Sequence, residues 1–319
     1  MSLFTRKTVL LAKIEATKGT DSAPGVSTDA MLIRNATLTP LEIDEVDRAL
    51  MRNYLGASPQ VVVGQHVGLD FEIEIAGAGT SAVTAPAFAP LLASCGFTSA
   101  INGATSWRFT PSSTFDNSNE SCTMWVYIDS VLHKIKGAMG SVSFDFTVKQ
   151  IPVMKFKFLG LYAAASISDA SPSALTLTSW QTPLGVNNIN TSGFTLHGIS
   201  AVLQSLTIDM GNQLTYESLV GTGGEFVQQT DRKMVGSVTI LANTFATKDW
   251  WSAALAATLG SLGLLHGTVG FNKFQITSTS TVQLMKPTYG DLNGMRTVQM
   301  GLQFVPTSAG NDEILIDTL

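Results

Sequence analysis

The amino-acid sequence predicts a mainly β chain of two tandem domains, each flanked by one short α-helix, and three observations predict it. Apolar and polar residues alternate over many short runs, and clusters of Gly, Ser, Thr, Asn and Pro separate those runs. The order strand, long connection, strand, helix then occurs twice along the chain. A length of 319 residues suits two domains of ordinary size, each with a core of its own.

In chain order, residues 1–28 are rich in small and polar side chains and are expected to form an N-terminal arm. The first domain is expected over residues 29–162. Its clearest strand is Leu69-Asp70-Phe71-Glu72-Ile73-Glu74-Ile75, where four apolar side chains face one way and three carboxylates the other. Further strands are expected at 124–131, 142–148 and 154–161, with an additional hairpin over 106–135. A helix is expected at 85–95, with Pro86 near its first turn and Gly96 as its stop. Residues 163–190, rich in Ala, Ser, Thr and Asn, read as a linker whose stretch 174–178 is strand-like and able to pack on a domain. The second domain is expected over 191–305, with strands at 203–208, 235–241, 282–286 and 297–305. Its helix is expected at 248–259, after Thr247 and stopped by Gly260. Residues 306–319 read as a C-terminal tail.

The two halves can be laid on each other. Residues 27–56 match 190–221 with a two-residue gap, so that Leu41-Glu42-Ile43-Asp44 meets Leu206-Thr207-Ile208-Asp209 and Leu55-Gly56 meets Val220-Gly221. The connections that follow, 44–66 and 209–233, are about 23 to 25 residues long, against a usual length of roughly 4 to 6. Leu50, Met51, Tyr54 and Leu55 in one, and Leu214, Tyr216, Leu219 and Val220 in the other, are apolar residues in long connections, which marks both as docking elements.

Composition bounds the function. Hydrophobic residues make up 45% and charged residues only 13%, about half the usual share of roughly 25%. Disorder needs the opposite balance. A subunit whose surface is largely covered by neighbours fits it. The net charge of −5 and the scattered 19 Lys and Arg give no basic stripe for gripping nucleic acid. The apolar run at residues 9–12 is cut short by Lys13 and Glu15, and no stretch approaches the roughly 18 residues of a membrane span, so no export address and no membrane insertion are expected. Cys95 and Cys122 have no metal spacing, and the sequence leaves open whether they are bridged.

No catalytic, cofactor-binding or metal-binding residue is expected. His66, His133, His197 and His266 lie far apart in no metal-binding pattern and read as structural or surface imidazoles. Gly221-Thr222-Gly223-Gly224 lacks the Lys-Ser/Thr ending of a phosphate loop and reads as a loop tip. The carboxylates of Asp70, Glu72 and Glu74 lie along one strand face with no loop to wrap an ion. Of Trp250 and Trp251, adjacent on a helix where aromatic residues usually mean core contact, only one can point fully inward, and the other is read either as a further packing residue or as an interface anchor.

The N-terminal stretch KIEATKGTDSAPGVSTDAMLIRNATLTP, the strand GLDFEIEI and the short helix after Pro86 together resemble the major tail tube protein of long, non-contractile-tailed bacteriophages. The resemblance implies a β-sandwich or partial barrel for each domain. It also implies a structural subunit that self-assembles into stacked rings forming a hollow conduit for DNA ejection. Tubes of this family have sixfold symmetry, so a tandem chain implies a trimeric, pseudo-sixfold ring, with six chains as the other possibility. Asp70, Glu72 and Glu74 would then line the lumen and repel passing DNA, although the matching strand Gly236-Ser237-Val238-Thr239-Ile240-Leu241 has no acids. The two long connections would stack the rings. Partners implied are the chain itself and the tape measure, tail terminator and distal tail proteins, with the virion tail as location and the host bacterial cytoplasm as the place of synthesis. A two-domain β-sandwich binding module for carbohydrate or a cell surface is the alternative, expected to group aromatics on one exposed face. A secretion tube, a capsid decoration protein and an enzyme with a cryptic site are weaker rivals.

Overall fold

Alternating sequences of this kind fold into strands because one face is buried and the other wetted. The computed structural model describes residues 3–114, 121–162 and 167–319. After a single 3-10 turn (Thr5–Lys7) come β1 (Thr8–Ile14), β2 (Ala30–Met31), β3 (Arg34–Val46), β4 (Val61–Glu74) and helix α1 (Ala89–Ala93). Next are β5 (Phe97–Asn102), β6 (Ser106–Pro111), β7 (Cys122–Ile128), β8 (Val131–Thr147), β9 (Val153–Leu161) and β10 (Ile167–Asp169). The remainder comprises β11 (Gly193–Leu196), β12 (Ile199–Ser200), β13 (Leu203–Asp209), β14 (Asn212–Ser218), β15 (Glu225–Arg232), β16 (Val235–Leu241), α2 (Trp250–Leu255), β17 (Leu259–His266), β18 (Phe274–Leu292), β19 (Met295–Phe304) and β20 (Leu315–Thr318).

One antiparallel layer runs through eight strands in the order β3, β4, β9, β8, β13, β16, β19, β18. The order is the same twice: β3-β4-β9-β8, then β13-β16-β19-β18. The two sets join where β8 pairs with β13, from Ser143↔Asp209 to Thr147↔Ser205. β8 and β18 each pass into a second layer, β8 pairing with β7 and β10, and β18 with β17 and β20. The chain is thus a β-sandwich whose sheets do not close into a barrel.

The apolar faces meet in one large core, with a smaller cluster of Leu11, Ala30, Tyr127 and Leu132 beside it. Leu69, Phe71, Ile73 and Ile75 are buried as the alternation predicts, with Phe71 stacked on Phe156 and Phe158. Phe274 of β18 packs among Phe88, Phe144 and Phe146 of the first half at centroid distances of 6.5, 6.1 and 6.1 Å. The halves therefore share one core instead of each burying its own.

Several expectations change. The stretch expected as an N-terminal arm holds β1, whose Leu10, Leu11 and Ala12 are fully buried and paired with β7. The tail folds back: β20 pairs with both β18 and β6, and Asp317 accepts hydrogen bonds from Arg108 Nε (3.0 Å) and Nη2 (2.9 Å). In the stretch 163–190, residues 163–166 lie outside the described residues. The rest is packed, with Trp180 Nε1 donating to Ala30 O at 2.9 Å, Lys149 N to Val186 O at 2.9 Å and Val186 buried. The helices are one to two turns shorter than expected, and α2 stops at Ala257, φ +51°, leaving Gly260 inside β17. Residues 106–135 do not form one hairpin, because β6 pairs back onto β5 and β7 forward onto β8; residues 115–120 lie outside the described residues.

The two long connections are hairpins, and they differ. β3 and β4 extend past the sheet so that in the ladder Ile43–Val46 and Val61–Gln65 pair only with each other, making a projecting arm that Tyr216 touches at its base. In the second half the chain bends at Gly211, φ +63°, where a Cβ would lie 2.1 Å from Lys233 O. That bend peels β14 and β15 off as a separate two-stranded sheet. The apolar alternation of Leu41-Glu42-Ile43-Asp44 is therefore arm, whereas that of Leu206-Thr207-Ile208-Asp209 is sheet.

Candidate functional site

Three surfaces of this fold have unmet capacity for contact: the polar face of the long layer, its two outer edges, and the hairpin tips.

The polar face carries Asp70, Glu72 and Glu74 outward, as the alternation predicts. Missed at that stage were the cations opposite them: in register, Asp70 faces Lys157 and Glu72 faces Lys155. Arg34 Nε lies 3.1 Å from Glu72 Oε2 and Arg34 Nη1 3.6 Å from Glu74 Oε1, while Lys155 Nζ lies 2.9 Å from Asp145 Oδ2. The signal was readable in Lys155-Phe156-Lys157, which alternates in the same phase. Across β13, β16 and β19 the same face is mostly uncharged, through Ser205, Thr207, Ser237, Thr239, Gln299 and Gln303, with Asp209 as the exception. Carboxylates outnumber cations there, so the face is weakly acidic and its charge is concentrated in the first half.

The outer edges are β3 and the segment of β18 beyond Met285, each with a partner on one side only. Unpaired edges invite strand addition, and natural sheets blunt them. Here Pro40 sits in a bulge of β3 between Thr39 and Glu42, and Pro287 in a bulge of β18 between Met285 and Thr288. Beside that edge, Trp250 is buried with Nε1 on Asn243 Oδ1 at 2.6 Å, and Trp251 rests on Tyr289 of β18 at 5.0 Å. Only Trp250 is fully buried; Trp251 is half-buried, packed against the core beside the open edge of β18.

At the hairpin tips, Met51, Leu55 and Val220 are 103, 102 and 108% exposed, and Leu50, Tyr54 and Leu219 are exposed as well. Leu214 and Tyr216 are not: both are half-buried because β14 and β15 fold across the first half. Tyr216 Oη accepts from Gln65 N at 3.2 Å and its ring lies 5.0 Å from that of His66. Asn212 Nδ2 donates to Cys95 O and Gly140 O at 2.7 and 2.9 Å, anchoring the hairpin base. The second hairpin is thereby a clasp within the chain, and the first is the one left projecting.

The stretch EATKGT is organised by a residue that sequence reasoning passed over. Glu15 is 1% exposed, and its carboxylate accepts from Gly19 N (2.7 Å), Ser121 Oγ (2.6 Å), Thr123 Oγ1 (2.8 Å) and Gly137 N (2.8 Å). A buried carboxylate tolerates this position because every oxygen is bonded. A second buried charge, Arg232, bonds Glu313 Oε1 at 2.8 Å and Ser112 O at 2.7 Å, tying the base of β15 to the C-terminal segment.

His197 bonds Val282 O at 2.9 Å, and His266 bonds Leu184 O at 3.0 Å and Thr191 Oγ1 at 2.8 Å. Burial pulls the pKa of both below the ordinary histidine value, as it does that of His133. Cys95 and Cys122 are free thiols, and burial raises the pKa of both, that of Cys122 to about 12. Among the described residues no group of His, Cys, Asp and Glu could hold a metal ion, and no helix is long and apolar enough to cross a membrane.

No curated protein matches the chain in sequence. A family model described as phage tail tube protein matches residues 5–311, nearly the whole chain, and the chain belongs to the phage tail tube protein family.

Proposed function

We propose that three copies of this chain close into a pseudo-sixfold ring, and that the rings stack into the hollow tube through which DNA leaves the phage head. The single observation that carries this reading is the β8–β13 junction. There, one four-stranded set adds to the next through its edge strands, and the chain ends that series with β3 and β18 open. A chain whose halves are tandem domains joined in this way presents at its two ends the same kind of edges that it has joined in its middle. Head-to-tail addition is a heterologous contact, which closes into a ring when its rotation allows. Three chains of eight strands each make a barrel of 24 strands. With strands about 4.8 Å apart and tilted about 40°, opposite backbones stand roughly 50 Å apart.

In such a ring one face of the long layer borders the lumen. The polar face, with Asp70, Glu72 and Glu74, is the one suited to it, since the other face is core. A weakly acidic lining repels a phosphate backbone without gripping it. The projecting arm, through Leu50, Met51, Tyr54 and Leu55, is the element suited to reach the next ring, with Leu219 and Val220 as a smaller contact. The same reading places the chain in a long, non-contractile tail made in the bacterial host, beside a tape measure, a terminator and a distal tail protein.

Negative-stain electron microscopy of the concentrated protein, with its mass in solution, tests the reading. Rings or tubes with threefold class averages are expected. Persistent monomers, even with added tail-initiation complex, would overturn it.

A further inference from the structure

We propose that the open edge of β18 pairs with the open edge of β3 in a second copy of this chain over five residues, Thr288–Leu292 against Asn35–Thr39, in the register Tyr289↔Leu38. The proposal rests on the ring reading above and adds to it the residues in contact and their alignment.

The template is internal. In the first set a row crosses the layer through Ile208, Phe144, Met154 and Ile73. In the second set the corresponding row is Tyr289, Val298 and Ile240, with nothing beyond Tyr289. One irregularity fixes this correspondence. The bulge at Cys122/Met124 of β7–β8 has its counterpart at Gly260/Leu262 of β17–β18, so Ala138 and Val282 hold equivalent places, and the one extra residue of β18 between Met285 and Thr288 then sets Tyr289, not Thr288, level with Phe144. Tyr289 therefore stands where Phe144 stands. Phe144 is paired with Ile208, which on its other side pairs with Gly236. Gly236 precedes Ile240 by the same step as Leu69 precedes Ile73, and Leu69 pairs with Leu38. Leu38 is thus the residue of β3 in the place of Ile208.

Carrying the junction Ser143–Thr147 with Ser205–Asp209 to the open edges gives Thr288–Leu292 with Asn35–Thr39. Both segments are bounded by proline at the same end: Pro287 comes just before Thr288, and Pro40 just after Thr39. In the template the next step is Met210 N donating to Val142 O at 3.0 Å, and Pro40, in the place of Met210, has no N–H to donate. The prolines limit the ladder to the window that the template supplies. Side-chain facing agrees. Phe144 and Ile208 are buried, whereas Tyr289, on the same side, is 62% exposed with Trp251 beneath it, a surface that Leu38 of a second copy would cover.

Disulfide trapping in the full-length chain tests the register. Residues directly opposite on one face lie about 4.5–5.5 Å apart at Cβ and diagonal ones about 7–8 Å. Thr39→Cys with Thr288→Cys should cross-link most assembled chains, the ladder on a non-reducing gel stopping at trimer. Thr37→Cys with Thr288→Cys, on the same face but out of register, should stay near the background of the wild type. Rings in the microscope together with preferential cross-linking of the second pair, or of neither, would overturn the register and leave the ring standing. Absence of rings in the wild type would overturn both. As a measurement that needs no variant, amide exchange should slow at residues 35–39 and 288–292 on assembly. Unchanged exchange at 35–39 and 288–292 in ring-forming protein would overturn the pairing.

Discussion

Replacing Glu15 by alanine tests whether the turn after β1 is held by its carboxylate. The side chain is 1% exposed and serves four donors: the amides of Gly19 (2.7 Å) and Gly137 (2.8 Å) and the hydroxyls of Ser121 (2.6 Å) and Thr123 (2.8 Å). The hydroxyls can turn elsewhere, since Thr123 Oγ1 already lies 3.4 Å from Thr20 O. The two amides are fixed by the backbone and have no such recourse. Each buried donor left without a partner costs about 1–3 kcal/mol, so the expected loss is about 3–4 kcal/mol. Glu15→Gln keeps the volume and one acceptor oxygen but turns an amide group toward donors, and an intermediate loss of about 1–2 kcal/mol follows. Urea unfolding of the unassembled chain, followed by tryptophan fluorescence, reads both values. An alanine variant within about 0.5 kcal/mol of the wild type would refute the argument, because that is the range of an exposed site.

Two further outcomes follow from exposure and burial. Met51→Asp with Leu55→Asp removes apolar contact from side chains that are 103 and 102% exposed, so unfolding of the single chain should shift by less than about 0.5 kcal/mol while tubes give way to separate rings under negative stain; intact tubes would refute the stacking role. His133, His197 and His266 titrate below their ordinary value of 6.5 because burial disfavours the charged ring. The unfolded chain then takes up protons first, so stability is full above pH 6.5 and declines as the pH falls below it. A His266→Gln variant should show a shallower decline in unfolding free energy between about pH 6.5 and 5.5, and an unchanged slope would refute this reading.

Much of the layer was legible in sequence because a half-buried strand writes its period into the chain. The stretch 69–75 and the strand Val235–Leu241 fall where alternation puts them, and Trp250 and Trp251 divide as adjacent helical positions must. The arm was legible only as a long apolar connection, since a projecting hairpin has the same alternation as a buried one. The cations opposite the acidic strand were visible one by one, yet their pairing depends on register, which no single strand encodes. Glu15, Gly137 and Ser121 lie far apart in the chain, and nothing in their spacing announces a shared site.

The sequence by itself determined that this chain is a β protein with few charged residues and a repeated order of parts, because those properties follow from composition and local period. Only the tertiary structure decided that the two halves share a core and join through β8 and β13, that the second hairpin folds inward at Gly211 while the first projects, and that β3 and β18 are left open. The reason is physical: strand pairing and edge exposure are long-range choices, fixed by which apolar faces meet and not by any residue's own preference.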